Sequence, residues 1–282
     1  MRVVRTIPEM RVVAERLRRR HRTVGLVPRM GALHEGHASL IRTSASRYGA
    51  TIVTIFVNPL QFGPGEGYRR YPRDLAQDVR RAAANGADVV FVPGAPQMYP
   101  AGFQTAVEIG ELAARWEGRS RPGHFRGVAT VVVKLLDLIQ PTHAVFGQKD
   151  YQQALVIRRL IQDLNLPVAF QMLPTVREPG GLAMSSRNRS LSVSERRQAT
   201  VLYRALDHAR GRIRSGVRHA PSLIAQMRHM IDAQPAARVD YVAIVDAKTL
   251  RPQARLHGRV AILVAAWVGR ARLIDNLLVE VS

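Results

Sequence analysis

The chain has 282 residues, 46% hydrophobic and 22% charged, which suits a soluble globular protein of one large or two ordinary domains. It contains no cysteine, which excludes disulfides, thiolate zinc sites and a cysteine nucleophile. Its formal net charge of +21 points towards polyanions, but the excess runs through both halves and is nearly all arginine, with lysine only at Lys134, Lys149 and Lys248. We read it as a solvated basic surface and do not expect nucleic acid as a partner.

The Arg-rich start resembles a transit peptide in composition, yet Thr6 and Glu9 make a capping box with Pro8 in the first turn, so it reads as a surface helix. A strand "TVGLVP" (23–28) and a helix "HASLIRTSASRYG" (37–49) follow, then the β-branched run "TIVTIFV" (51–57) as a buried strand. The helix "RDLAQDVRRAAANG" (73–86) stops at Asn-Gly and leads into the strand "DVVFVP" (88–93). After a Gly/Pro-rich stretch come a buried helix (127–140), the strand "HAVFG" (143–147), a helix (151–165) and the strand "VAFQMLP" (168–174). This alternation predicts an α/β fold, a doubly wound parallel sheet in residues 1–175, with ligands at the carboxyl ends of its strands. The pattern then changes: helices over 194–215 and 220–233 precede three strands, 238–246, 259–268 and 270–279, giving a smaller C-terminal α+β domain over 176–282. The longest clean apolar run, from Val260, is half of what a membrane span needs, so a membrane is not expected and the protein reads as cytoplasmic.

Three stretches carry the chemistry. His34 and His37 follow the first central strand, with Gly31 and Gly36 in the connection and a helix just beyond. A helix start offers unpaired N–H groups and partial positive charge, which bind phosphate. The i,i+3 spacing fails the H-E-x-x-H zinc pattern, leaving a nucleotide-phosphate role and a structural role open. "FGQKDYQQ" (146–153) puts Lys149 and Asp150 at the end of another strand, where a lysine can stabilise phosphate charge or merely form a surface ion pair. "MSSRN" (184–188), after Gly-Gly, supplies two hydroxyls and a guanidinium, suited to a phosphate loop or to helix capping.

Together these stretches resemble the pantoate–β-alanine ligase (pantothenate synthetase) family over essentially the full chain. "MGALHEGH", "IFVNPLQFGPGE", "YPRDLAQD", "RPGHFRGVATVV", "VFGQKDYQQ", "TVREPGGLAMSSRN" and "RLIDN" occur in that family's order and spacing. The resemblance implies a Rossmann-like domain of the histidine-motif nucleotidylyltransferase type, a C-terminal lid domain and a homodimer. It implies synthesis of pantothenate from pantoate, β-alanine and ATP with Mg²⁺, through a pantoyl adenylate. On this chain it implies His34, His37, Lys149, Ser185 and Arg187 as catalytic residues. Met30, Gly147, Asp150, Val176, Met184 and Ser186 join them around ATP, with Asp150 on the ribose. Pro28, Met30, Phe56, Asn58, Gln61 and Gln153 form the pantoate pocket, bordered by Arg121 and His124, and Asp78 is the expected magnesium contact.

Three positions depart from the family pattern. Arg29 stands for a threonine before the histidines, and Gly67 and Gly180 each stand for an acidic residue. If 28–30 is extended, Pro28 and Met30 face the pocket and Arg29 points away. Two other readings remain: a nucleotidylyltransferase that leaves the nucleotide on its product, and a basic nucleic-acid-binding protein.

Overall fold

The computed structural model describes residues 1–64 and 67–281; Gly65 and Glu66, the end of the "NPLQFGPGE" stretch, lie outside the described residues. The chain divides into two compact units, residues 1–147 with 152–174, and Gln148–Tyr151 with the chain from Thr175 onward.

The first unit runs β1 (Arg2–Val4), α1 (Ile7–Arg20), β2 (Val24–Arg29), α2 (Glu35–Arg47), β3 (Ala50–Ile55), α3 (Leu75–Ala84) and β4 (Val89–Phe91). Three short helices follow, α4 (Ala95–Met98), α5 (Glu111–Ala114) and α6 (Glu117–Ser120), then α7 (His124–Ile139), β5 (His143–Gly147), α8 (Tyr151–Asp163) and β6 (Ala169–Leu173). Its six strands form one parallel sheet in the order β1-β4-β3-β2-β5-β6. Side chains alternate across it, as strand geometry requires. Leu26 and Ile52 pack with Met10 of α1, Val128 and Leu135 of α7 and Ile157 of α8, whereas Val27 and Val53 pack with Ile41 of α2 and Ala82 of α3. Each such aliphatic side chain contributes about 1.5–3 kcal/mol by leaving water, so a register slip of β2 would cost both layers at once.

The strand order reverses between β2 and β5, and there the ladder is short: only Gly25 with His143 and Leu26 with Ala144 are paired. Pro28, which has no N–H to give, lies past the last of these pairs. Thr6 caps α1 through its hydroxyl, but Glu9 turns away to Arg2 at 2.7 Å, so the expected capping box is half made. Strand β1 escapes the sequence pattern because three residues carry no period.

The second unit contains α9 (Val193–Ala199), α10 (Val201–Arg214), α11 (Ala220–Asp232) and the antiparallel sheet β7 (Ala237–Asp246), β8 (Gly258–Val268) and β9 (Ala271–Val281). Helices α10 and α11 bury Leu202, Leu206, Leu223 and Met227 with Ile244, Ile262 and Val264 of the sheet. One helix was expected over 194–215; two are found. Thr200 binds the Arg197 carbonyl with both its N–H and its hydroxyl, a local bond that competes with the regular ladder. A bulge at Val239/Tyr241 in β7 brings Asp240 to Arg272 at 2.6 and 3.0 Å.

Candidate active site

Within the first unit, the chain leaves β2 at Met30 and turns through Gly31 and Ala32, both with positive φ, +99° and +50°. Alanine in that region costs about 1 kcal/mol or more, so the turn needs an external hold. Asp78 of α3 supplies it: 2% exposed, its two carboxylate oxygens accept the Ala32 N–H at 2.9 Å and the Leu33 N–H at 2.7 Å. A β-carbon on Gly31 would lie 2.9 Å from Asp78 Oδ2, so this position requires glycine for space as well as for conformation.

The held turn delivers His34 as the N-cap of α2 and His37 as its third residue. Their rings stack at 3.8 Å, and the His34 N–H donates to His37 Nδ1 at 3.4 Å. A main-chain N–H can only donate, so the neutral His37 ring carries its proton on Nε2 and offers it as a donor. Beside the first-turn amides of the helix, this arrangement suits an anion. Arg29 is half-buried at the end of β2, with its N–H on Thr54 Oγ1 at 3.2 Å and its carbonyl on the Phe56 N–H at 2.9 Å.

A second group of the same unit surrounds Gln61. Buried Asn58 donates to the Gln61 Oε1 at 3.2 Å and to the Gly127 carbonyl at 3.0 Å, and accepts from the Tyr99 hydroxyl at 2.8 Å. Gln61 Nε2 in turn donates to Met30 Sδ at 2.8 Å. The Gln61 carbonyl accepts from His124 Nδ1 at 2.9 Å, while Arg121 meets His124 Nε2 at 3.0 Å. Because a carbonyl cannot donate and a guanidinium cannot accept, a neutral His124 ring in this geometry carries its proton on Nδ1. Phe56 is buried 6.1 Å from the Tyr99 ring, and Pro28 is half-buried. Of the adjacent glutamines on α8, Gln152 is turned inward to the Leu112 and Arg115 carbonyls, both at 2.8 Å. Gln153 points elsewhere, as neighbours on a helix must, and is half-buried.

Gly147 closes a stretch of the first unit, and the second unit brings together the remaining expected residues. Gly147 ends β5, after which Lys149 and Asp150 sit in a 3₁₀ turn as an ion pair at 3.8 Å. Asn276 of β9, 2% exposed, fastens that turn: its Nδ2 donates to the Gln148 and Lys149 carbonyls, both at 3.0 Å, and its Oδ1 accepts from Gln148 Nε2 at 3.1 Å. Val176 and Met184 are joined across a tight hairpin, N–H of Met184 to the Val176 carbonyl at 3.0 Å. Arg177 within it makes a two-point ion pair with buried Asp275 at 2.5 and 3.0 Å. Ser185 caps the next 3₁₀ turn by accepting the Arg187 N–H at 3.2 Å, which leaves its O–H hydrogen for a ligand; Ser186 starts that turn, and Arg187 donates to the Arg272 carbonyl at 2.9 Å.

The structure accounts for two of the departures. Gly180 turns the hairpin with φ +89°, and Gly67 starts a turn with φ +81°, so each glycine occupies backbone an acidic residue would enter less easily. Asp78, the expected magnesium contact, is buried with its two carboxylate oxygens on the Ala32 and Leu33 amides. Among the described residues no three His, Asp or Glu side chains group to hold a metal. Tyr99, Asn276 and Gly127 escape sequence reasoning. "RLIDN" stands out as a motif, but a partner 127 residues away gives Asn276 no local signal.

The model of the family described as pantoate-beta-alanine ligase matches residues 2–278. The chain belongs to the pantoate–β-alanine ligase family. It is 50% identical to a pantothenate synthetase of Moorella thermoacetica over the whole of both chains. With one of Roseiflexus castenholzii it shares 53%, over 99% of this chain and all of the relative. A solved pantothenate synthetase from Thermus thermophilus superposes with a TM-score of 0.92 at 46% identity, covering 98% of this chain and 99% of that one. A pantoate-beta-alanine ligase from Francisella tularensis, complexed with beta-gamma ATP and beta-alanine, gives 0.81 at 35% identity over 99% and 97%. As a pantoate–β-alanine ligase, the enzyme forms the amide bond of pantothenate, which decides against a nucleotidylyltransferase that leaves its nucleotide on the product.

Proposed function

We propose that the ligase works in two steps with ATP as co-substrate. The pantoate carboxylate attacks the α-phosphorus, forming pantoyl adenylate and releasing pyrophosphate. The β-alanine amine then attacks the adenylate carbonyl, forms the amide, loses a proton and expels AMP. No covalent enzyme intermediate is needed; the chain aligns reactants and stabilises charge. The observation that carries this reading is the stacked pair His34 and His37 at the start of α2, held on the Asp78-braced turn.

In this reading His34 and His37 donate to ATP phosphates, and Lys149 neutralises charge gathering on them in the transition state. Ser185, Ser186 and Arg187 bind the phosphates as well, Asp150 takes the ribose hydroxyls, and Met30, Gly147, Val176 and Met184 contact the nucleotide. Pro28, Met30 and Phe56 give pantoate an apolar wall, while Asn58, Gln61 and Gln153 supply polar contacts. The Francisella tularensis complex supports ATP and β-alanine as ligands here too. Mg²⁺ is proposed to arrive on the ATP phosphates, where its charge would offset theirs; no protein cage is assigned to it. A cytoplasmic homodimer is part of the same proposal; among the described residues no helix is long and apolar enough to cross a membrane.

Pantoate-dependent exchange of labelled pyrophosphate into ATP, without β-alanine, tests the first step. Exchange is expected; its absence in an enzyme that makes pantothenate would overturn the adenylate.

A further inference from the structure

The amide of Gln61 can lie either way round in a pocket, presenting an acceptor or a pair of donors. Here the choice is dictated from outside the pocket. The Leu60 N–H points at Asn58 Oδ1 at 3.3 Å, and the Gly127 carbonyl faces Asn58 Nδ2 at 3.0 Å. Main-chain groups cannot exchange these roles, so Asn58 has one orientation. The Tyr99 hydroxyl adds a second donor to Oδ1 at 2.8 Å. Burial pushes its phenol far above the usual tyrosine range, so it stays protonated. The N–H left on Asn58 then meets Gln61 at 3.2 Å and demands an oxygen there. Gln61 must turn its amine outward, where Nε2 lies 2.8 Å from Met30 Sδ.

Glycine 127 makes the arrangement possible. A β-carbon there would come within 2.1 Å of the Leu60 carbonyl oxygen and 2.5 Å of the Gln61 nitrogen. Helix α7 can press its backbone against this turn only without a side chain at that point, and that approach brings the Gly127 carbonyl to Asn58.

We infer that Asn58, oriented by the Leu60 N–H and the Gly127 carbonyl and braced by Tyr99, sets the polarity of Gln61, so that the pocket offers the Gln61 N–H not held by Met30 and selects a ligand oxygen that accepts. Tyr99 is thus a positioning residue, and a carboxylate or hydroxyl oxygen is the group the site favours over an amine. The inference rests on the reading of this pocket as the pantoate site.

Steady-state kinetics of Tyr99→Phe, Gln61→Ala and the double variant test it. Tyr99→Phe keeps the ring, so its fold should persist, which a melting curve verifies. Its pantoate KM should rise roughly three- to tenfold, as loss of one buried hydrogen bond predicts, with ATP KM and kcat within about twofold. In the Gln61→Ala background the same substitution should leave pantoate KM unchanged, since the relay then has no end. An unchanged pantoate KM in Tyr99→Phe would overturn the inference. So would a rise that persists in full in the double variant, the mark of a purely structural role. If Gln61→Ala alone leaves pantoate KM unchanged, the pantoate reading of the pocket fails, and the relay's role fails with it.

Discussion

Replacing Asn276 with alanine should slow adenylation, although Asn276 itself is assigned to no substrate. The substitution removes two N–H donors from the Gln148 and Lys149 carbonyls, both at 3.0 Å, and one acceptor from Gln148 Nε2. Asn276 is 2% exposed, so water cannot easily replace it. At about 1 kcal/mol for each bond, with a further penalty for a carbonyl left buried, the turn loses about 2–4 kcal/mol of support. If half of that is needed to hold Lys149 against the transition state, the rate falls roughly 5- to 30-fold. Pantoate-dependent pyrophosphate exchange reads that rate directly. The decisive comparison is with Lys149→Ala: in that background Asn276→Ala should add little, because the group it positions is gone. An exchange rate within twofold of the parent, or losses that add in full, would refute the clamp.

The same geometry sets four further outcomes. Lys149→Ala should lower the exchange rate by about two orders of magnitude in a folded enzyme; near-parental turnover would remove its charge-stabilising role. Asp78→Asn replaces an acceptor by a donor facing a buried N–H, so melting should show a loss of about 1–3 kcal/mol and ATP KM should rise; normal stability would mean that the turn is held otherwise. Arg29→Thr should leave pantoate KM within about twofold, because the backbone bonds at that position do not depend on the side chain, and a clear gain in activity would show that the arginine intrudes. Burial holds the His143 imidazole below its ordinary value of 6.5. As pH falls through that value the unfolded chain takes up the proton first, so this residue's contribution to stability declines on acidification; melting of His143→Gln from about pH 7.5 to about pH 5 should be flatter than the parent, and equal slopes would refute it.

The sheet was legible because βαβ units write themselves in hydrophobic period. Leu26 and Val27, neighbours on β2, report opposite faces, and "TIVTIFV" has the composition of a strand buried on both. The histidine pair was legible for a local reason too, since a helix start and its glycines are contiguous in the chain. What stayed hidden was long-range. Asp78 carries the same carboxylate whether it meets magnesium or two amides, and only the fold reveals that Ala32 and Leu33 lie beside it. Thr200 sits inside an apolar pattern that reads as one helix, yet its hydroxyl diverts the ladder. Arg29 is the opposite case, conspicuous in the sequence as a misplaced cation and unobtrusive in its backbone geometry.

The assignment of Gln148–Tyr151 to the second unit has a consequence for how this enzyme could be cut, shuffled or rebuilt. The chain visits the second unit for four residues and returns, so no single scission separates the two. A fragment ending at Pro174 would carry Lys149 away from Asn276, and a transplanted first unit would inherit the lysine without its fastening. The turn at 148–151 therefore goes with the second unit, and engineering that swaps the C-terminal unit must keep an asparagine where β9 meets residues 148 and 149.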